Sequence, residues 1–242
     1  MYAFAGKPRW IVGHVLVIVL VVVFVMAGLW QWSRHQWRSD MNDAIEARAE
    51  MPVLDVAALT TEDPDDLEFR LATVAGAFTE QSVLIRSQSL DGQPGCHVVQ
   101  PFVYDDQRAV IVNRGWLPLE VCESTTQLDG GLQHDTITGR VQLTETRGRF
   151  GVRDPAEGVL EIMARVDIER LQQQSDVELA PVYLEQVAPS NEGLPRLVPP
   201  PATDAGPHLG YTFQWFSFAA VAIIGYPLVL RRQARTADNE DV

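Results

Sequence analysis

Two stretches of twenty residues, each without a single charged side chain, dominate what this chain can become. The first, residues 11–30, reads IVGHVLVIVLVVVFVMAGLW; the second, residues 211–230, reads YTFQWFSFAAVAIIGYPLVL. An α-helix rises about 1.5 Å per residue, so about 20 residues cross the ~30 Å hydrocarbon layer of a membrane. Trp10, Trp30, Trp32, Tyr211 and Trp215 gather near the ends of the runs, as an aromatic belt requires. Pro227 is tolerable near the inner end of such a helix. A cleaved signal peptide is the rival reading of the first run. Lys7 and Arg9 precede it, and Val25-Met26-Ala27 offers a small-residue cleavage site. The run is longer than such a peptide needs, and aromatic residues continue past Ala27, which favours a retained span.

Charge is segregated around these runs. The 242-residue chain has 19 Lys+Arg, 32 Asp+Glu and a net charge of −13. Residues 31–210 hold 14 Arg against 29 Asp+Glu, a net of −15. Lys7 and Arg9 precede the first run, and Arg231, Arg232 and Arg235 follow the second. Two spans put both tails on one side, and the positive-inside rule makes that side the cytoplasm. Arg34 and Arg38 weaken the signal, but a loop this long translocates regardless of charge. The acidity argues against nucleic-acid binding, which needs clustered Lys and Arg.

The expected organisation is a cytoplasmic tail (1–10), a first transmembrane helix (11–30), and a juxtamembrane helix with an acidic loop (31–67). A mostly β extracytoplasmic domain (68–188), a small barrel or sandwich with minor helix, comes next. A linker with six Pro between 189 and 207 leads through residue 210 to the second transmembrane helix (211–230) and a cytoplasmic tail (231–242). Trp30, Arg34, Trp37 and Met41 continue one helical face past the first run. Strands are expected at 69–75, 83–86, 98–104, 108–112, 136–143, 159–166 and 181–187, and a short helix at 168–174 capped by Asp167. Asp105-Asp106-Gln107 reads as a hairpin turn, and Tyr104 opposite Arg108 would place Cys96 opposite Trp116. Pro101 points to an edge or irregular strand. Val110-Ile111-Val112, apolar on both faces, points to a central one.

Candidate chemistry is sparse. No nucleophile elbow, phosphate loop, HExxH or CxxC occurs, so the chain reads as a non-enzyme. Cys96 and Cys122 leave two readings open: a disulfide, suited to an oxidising compartment, or a copper site with His97. Adjacent Cys96 and His97 in a strand point to opposite faces, which counts against copper. Asn113-Arg114-Gly115-Trp116-Leu117-Pro118 reads first as a turn ending the central strand, and second as a surface Arg–Trp patch for a partner. His208, Tyr211 and Trp215 share a helix face, and Gln214 lies one turn inside the second run. Gln31 sits at the matching end of the first run. These groups serve either helix–helix hydrogen bonding or axial ligation of haem by His208. His14 carries the same ambiguity.

Several of these motifs resemble a known family. Gly28-Leu29-Trp30-Gln31-Trp32-Ser33-Arg34, the Gly76-Ala77-Phe78 step, Gly95, Pro101, Val112 to Pro118, and His208-Leu209-Gly210-Tyr211-Thr212-Phe213-Gln214-Trp215-Phe216 are similar, in order, to signatures of the Surfeit locus protein 1 family. The resemblance implies a bacterial membrane protein that assists maturation of haem-copper cytochrome c oxidase, at the step of haem a insertion. It implies partnership with the catalytic oxidase subunit and with haem a synthase, and His208 as ligand of a transiently held haem a. Tyr211, Gln214 and Trp215 would stand beside His208. Trp30, Gln31, Arg34, Asn113, Arg114, Gly115 and Trp116 would contact the partner or brace the domain. The alternatives are a permanent accessory subunit of the oxidase or supercomplex, and an anchored extracytoplasmic binding or sensor module.

Overall fold

The computed structural model describes residues 6–124, 136–149, 151–189, 193–201, 203 and 206–240. They fall into two compact units, Met1–Ala44 with Ala202–Val242, and Ile45–Pro201.

The first unit is built on two helices long and apolar enough to cross a membrane: α1 (Pro8–Ala49) and α6 (His208–Glu240). Their contacts run antiparallel. Gln31 meets His208, the Phe24 ring stacks on Trp215, and His14 meets Tyr226. At Gly28 the Phe216 ring of α6 lies against the α1 backbone, since a Cβ there would come within 2.8 Å of it. Outside this seam the side chains of residues 11–30 and 211–230 are mostly apolar and exposed, which is the inverse of a soluble helix pair.

Among the described residues, the second unit is one mixed sheet of nine strands with four short helices. Its strands are β1 (Leu54–Asp55), β2 (Leu71–Ala75), β3 (Ala77–Phe78), β4 (Val83–Leu90), β5 (Gln93–Asp105), β6 (Arg108–Pro118), β7 (Thr136–Leu143), β8 (Ile162–Met163) and β9 (Glu178–Ala188). The helices are α2 (Ala58–Thr61), α3 (Pro64–Leu67), α4 (Leu119–Ser124) and α5 (Ile168–Gln172). The strand order is β1-β2-β7-β9-β6-β5-β4-β8, with β3 on β5. The pairs β6·β9, β1·β2 and β4·β8 are parallel and the others antiparallel. The strands thus belong to one hydrogen-bonded mixed sheet. Residues 71–78 pair with β7 through β2 and with β5 through β3.

The alternation of β6 explains its central place. Val110 and Val112 enter one apolar cluster with Phe102, Val141, Val182 and Leu184, while Ala109 and Ile111 enter a second with Val83, Val99 and Leu171. A strand apolar on both faces is stable only when both are covered. Asp167 caps α5 as expected, accepting from the Arg170 amide.

Several expectations are corrected. Residues 55–67 are not simply a solvated loop: Asp63 caps α3, and Leu59 and Leu67 are fully buried in the core. Phe69 has φ +67, so the extended run begins at Leu71. Residues 159–166 form only the two-residue β8. Pro101 does not mark an edge, because β5 is paired on both sides. Its missing N–H falls where β4 pairing stops at Val99 and β3 pairing starts at Phe102, and its carbonyl accepts from the Thr79 amide. Asp105, not Tyr104, pairs with Arg108, and Cys96 faces Leu117, not Trp116. Two irregularities cause this: at the turn the ladder passes from Val103–Ala109 to Asp105–Arg108, skipping Tyr104, and further on it passes from Val99–Asn113 to Val98–Gly115, leaving Arg114 as a bulge.

Candidate functional site

The face of α1 that meets α6 is Phe24, Gly28 and Gln31, at helical spacing. Trp30 and Arg34 lie elsewhere: Trp30 is 63% exposed, and the Arg34 guanidinium stacks 4.1 Å from the Trp37 ring centroid. On α6 the packed stripe is His208, Thr212, Trp215 and Ala219, with Thr212 and Ala219 buried. Tyr211 is 48% exposed, and Gln214 is exposed too, so the i, i+3 grouping of His208 with Tyr211 does not hold against α1. An i, i+4, i+7, i+11 stripe keeps closer to 3.6 residues per turn.

His208 Nδ1 lies 2.8 Å from Gln31 Oε1, and the His208 carbonyl accepts from the Thr212 hydroxyl at 2.9 Å. An amide oxygen can only accept here, so the imidazole donates from Nδ1, and in the neutral tautomer that this selects, the lone pair is on Nε2. This is the usual way a metal-binding histidine is held. Trp215 stacks at 5.8 Å on Phe24 and meets Phe218 edge-on at 5.9 Å, which gives this seam an aromatic wall. His14, toward the other end, has Nδ1 2.7 Å from the Tyr226 hydroxyl. Next to the His208 seam, Asn42 donates to the Thr203 carbonyl at 2.9 Å. In the sequence Arg38 reads only as a flanking charge, Thr212 only as part of the 208–216 motif, and Asn42 as neither. Extending the Gln31 face by seven and eleven residues would have found Arg38 and Asn42.

In the second unit the Asn-Arg-Gly-Trp motif is interior. It does not end the strand, because β6 runs on to Pro118 through the Arg114 bulge. Arg114 and Trp116 are 3% and 2% exposed, so they form no surface patch. Arg114 Nη1 donates to Gln100 Oε1 at 2.7 Å, and its guanidinium lies 4.5 Å from the Phe78 ring centroid. Burial draws its pKa down. Asn113 Oδ1 accepts from the Gly115 amide at 3.0 Å, and Asn113 Nδ2 is 3.2 Å from His97 Nδ1. Gly115 has φ +131, and a Cβ there would collide with the Arg196 carbonyl. That space admits the returning chain: Trp116 and Arg196 exchange two backbone hydrogen bonds of 2.7 and 2.9 Å. Arg196 also holds Asp91 at 2.8 Å.

Cys96 and Cys122 form a disulfide with a Cα separation of 6.2 Å. The copper site is thereby overturned, since both sulfurs are committed and His97 is engaged by Asn113. Burial pushes the His97 imidazole down to about 4.

The fold and this geometry define a class: a mixed-sheet domain bracketed in sequence by two long apolar helices that meet through a histidine. The SURF1 family matches residues 18–220, and the chain belongs to that family. It is 25% identical over 230 residues to a SURF1-like protein of Mycobacterium tuberculosis, covering 92% of this chain and 84% of that one. It is 23% identical over 223 residues to a SURF1-like protein of Rickettsia bellii, covering 89% of each. Over 164 residues it is 26% identical to Surfeit locus protein 1 of Gallus gallus, covering 60% of this chain and 52% of that protein.

Proposed function

We propose that this chain is a membrane-anchored assembly factor for haem-copper cytochrome c oxidase, and that it aids insertion of haem a into the catalytic subunit. The observation that carries the reading is the Gln31–His208 pair. One ring nitrogen is fixed by an amide oxygen, the other is turned away from it, and the Phe24–Trp215 stack lies two helical turns further along the same seam. These residues fit a haem: His208 Nε2 would hold it, Gln31 would orient the ring, and Trp215 would pack alongside. Haem, when bound, supplies an iron that accepts an imidazole nitrogen as axial ligand. A single protein ligand on a helix pair suits a group that is held and handed on. No covalent chemistry is asked of the chain.

The anchors are read as α1 and α6 spanning a bacterial cell membrane, with both termini cytoplasmic and residues 31–210 outside. The Lys7, Arg9, Arg231, Arg232 and Arg235 tails support that orientation, and the Cys96–Cys122 disulfide suits an oxidising compartment. The outer unit is read as a small barrel closed through residues 71–78. The oxidase catalytic subunit and haem a synthase are the proposed partners.

Deleting the protein should lower spectroscopic haem a and oxidase activity together. Normal levels of both would overturn the reading. Recovery of the intact protein from mild detergent should bring the catalytic subunit in substoichiometric amount. Stoichiometric recovery with the finished oxidase would replace the assembly role with that of a permanent subunit.

A further inference from the structure

Gly206, two residues before His208, has φ +66, a conformation that favours glycine. A Cβ at that position would lie 3.1 Å from Arg38 Nη1, 3.4 Å from His208 Cδ2 and 3.6 Å from His208 Nε2. The guanidinium and the ring nitrogen turned away from Gln31 therefore border one small space, kept open because residue 206 has no side chain. Arg38 stands seven residues beyond Gln31, on the same face of α1, and is half-buried. Among the described residues it forms no ion pair.

A lone-pair nitrogen and a guanidinium facing one space offer a metal ligand and an anion receptor together. We propose that this space seats the carboxylate edge of a metalloporphyrin, with Arg38 taking a propionate-type side chain while His208 Nε2 faces the metal. The proposal rests on the haem reading above and deepens it by naming the group recognised. Guanidinium and carboxylate match as planar, doubly hydrogen-bonding partners, and a half-buried Arg is screened less by solvent than an exposed one. The surrounding sequence favours such a role. Residues 31–210 carry a net charge of −15, so a carboxylate approaching them needs a local cation. Gly206 then answers both its positive φ and the room needed beside the ring.

Full-length protein in mild detergent is titrated with ferric protoporphyrin and with its dimethyl ester, whose carboxylates are blocked, following the Soret band. The wild type should bind the free acid about 10-fold more tightly than the ester, the size expected of one charge-assisted contact. Arg38→Gln should remove that preference and leave the Soret position unchanged, and Arg38→Lys should restore part of it. Gly206→Ala should weaken both porphyrins by filling the space. Equal wild-type affinity for acid and ester, or an Arg38→Gln protein that keeps the 10-fold preference, would overturn the seat and leave His208 ligation standing. Failure of the wild type to bind either porphyrin would overturn the haem reading and this seat with it.

Discussion

The imidazole Nδ1 of His208 lies 2.8 Å from Gln31 Oε1, although 177 residues separate them. This contact fixes which ring nitrogen is available, and it fixes the ring at the end of an aromatic seam. Gln31→Leu should therefore weaken porphyrin affinity about 10-fold, the usual cost of losing a group that orients a metal-binding histidine. Gln31→Glu, which keeps the acceptor, should retain most of it. Titration of the three proteins decides, and an unchanged Gln31→Leu would refute the orienting role.

Gly115 combines φ +131 with the close approach of the Arg196 carbonyl. Gly115→Ala should cost about 2–3 kcal/mol, because backbone strain and a steric clash coincide. Thermal unfolding should show a midpoint lower by roughly 5–10 °C. A change within 1 °C would mean that the bulge relaxes freely.

The Cys96–Cys122 bond closes a chain separation of 26 residues. Loop-closure entropy assigns such a crosslink about 3.5 kcal/mol. A Cys96→Ser, Cys122→Ser double variant should unfold at correspondingly lower denaturant concentration. Equal midpoints for the oxidised and double-variant proteins would contradict this.

His97 is held neutral in the folded protein down to about pH 4, against 6.5 for an unhindered imidazole. Between those values the unfolded chain binds a proton that the folded chain does not. Stability is therefore full above pH 6.5 and declines as pH falls toward 4. His97→Gln should flatten that part of the stability–pH curve measured by denaturant unfolding. An identical curve would assign the decline to other groups.

How much of this was legible from sequence varies with the range of the interaction. The apolar runs, the Asp167 cap and the two-faced Val110-Ile111-Val112 strand rest on local pattern and are found in the structure. The Arg114 bulge was not legible, because it depends on Arg196 docking against Gly115, about 80 residues away in sequence. The same long-range contact turned an apparent turn motif into buried strand. In the helix pair, the sequence offers Gln31 and His208 for helix–helix hydrogen bonding, which they make, but it groups His208 with Tyr211 on a face that does not meet α1. Which stripe of α6 faces inward is set by where Gly28 admits Phe216, and no periodicity within one helix reveals that.

In the barrel proposed above, the pairing of residues 71–78 with β7 through β2 and with β5 through β3 would bring the path β7–β9–β6–β5 back to its own start. A ladder joined end to end has no free strand from which to unzip. The amides of β2, β3, β5 and β7 should therefore exchange with solvent deuterium as one cooperative group, while the two-residue β8 at the end of the strand order opens ahead of them.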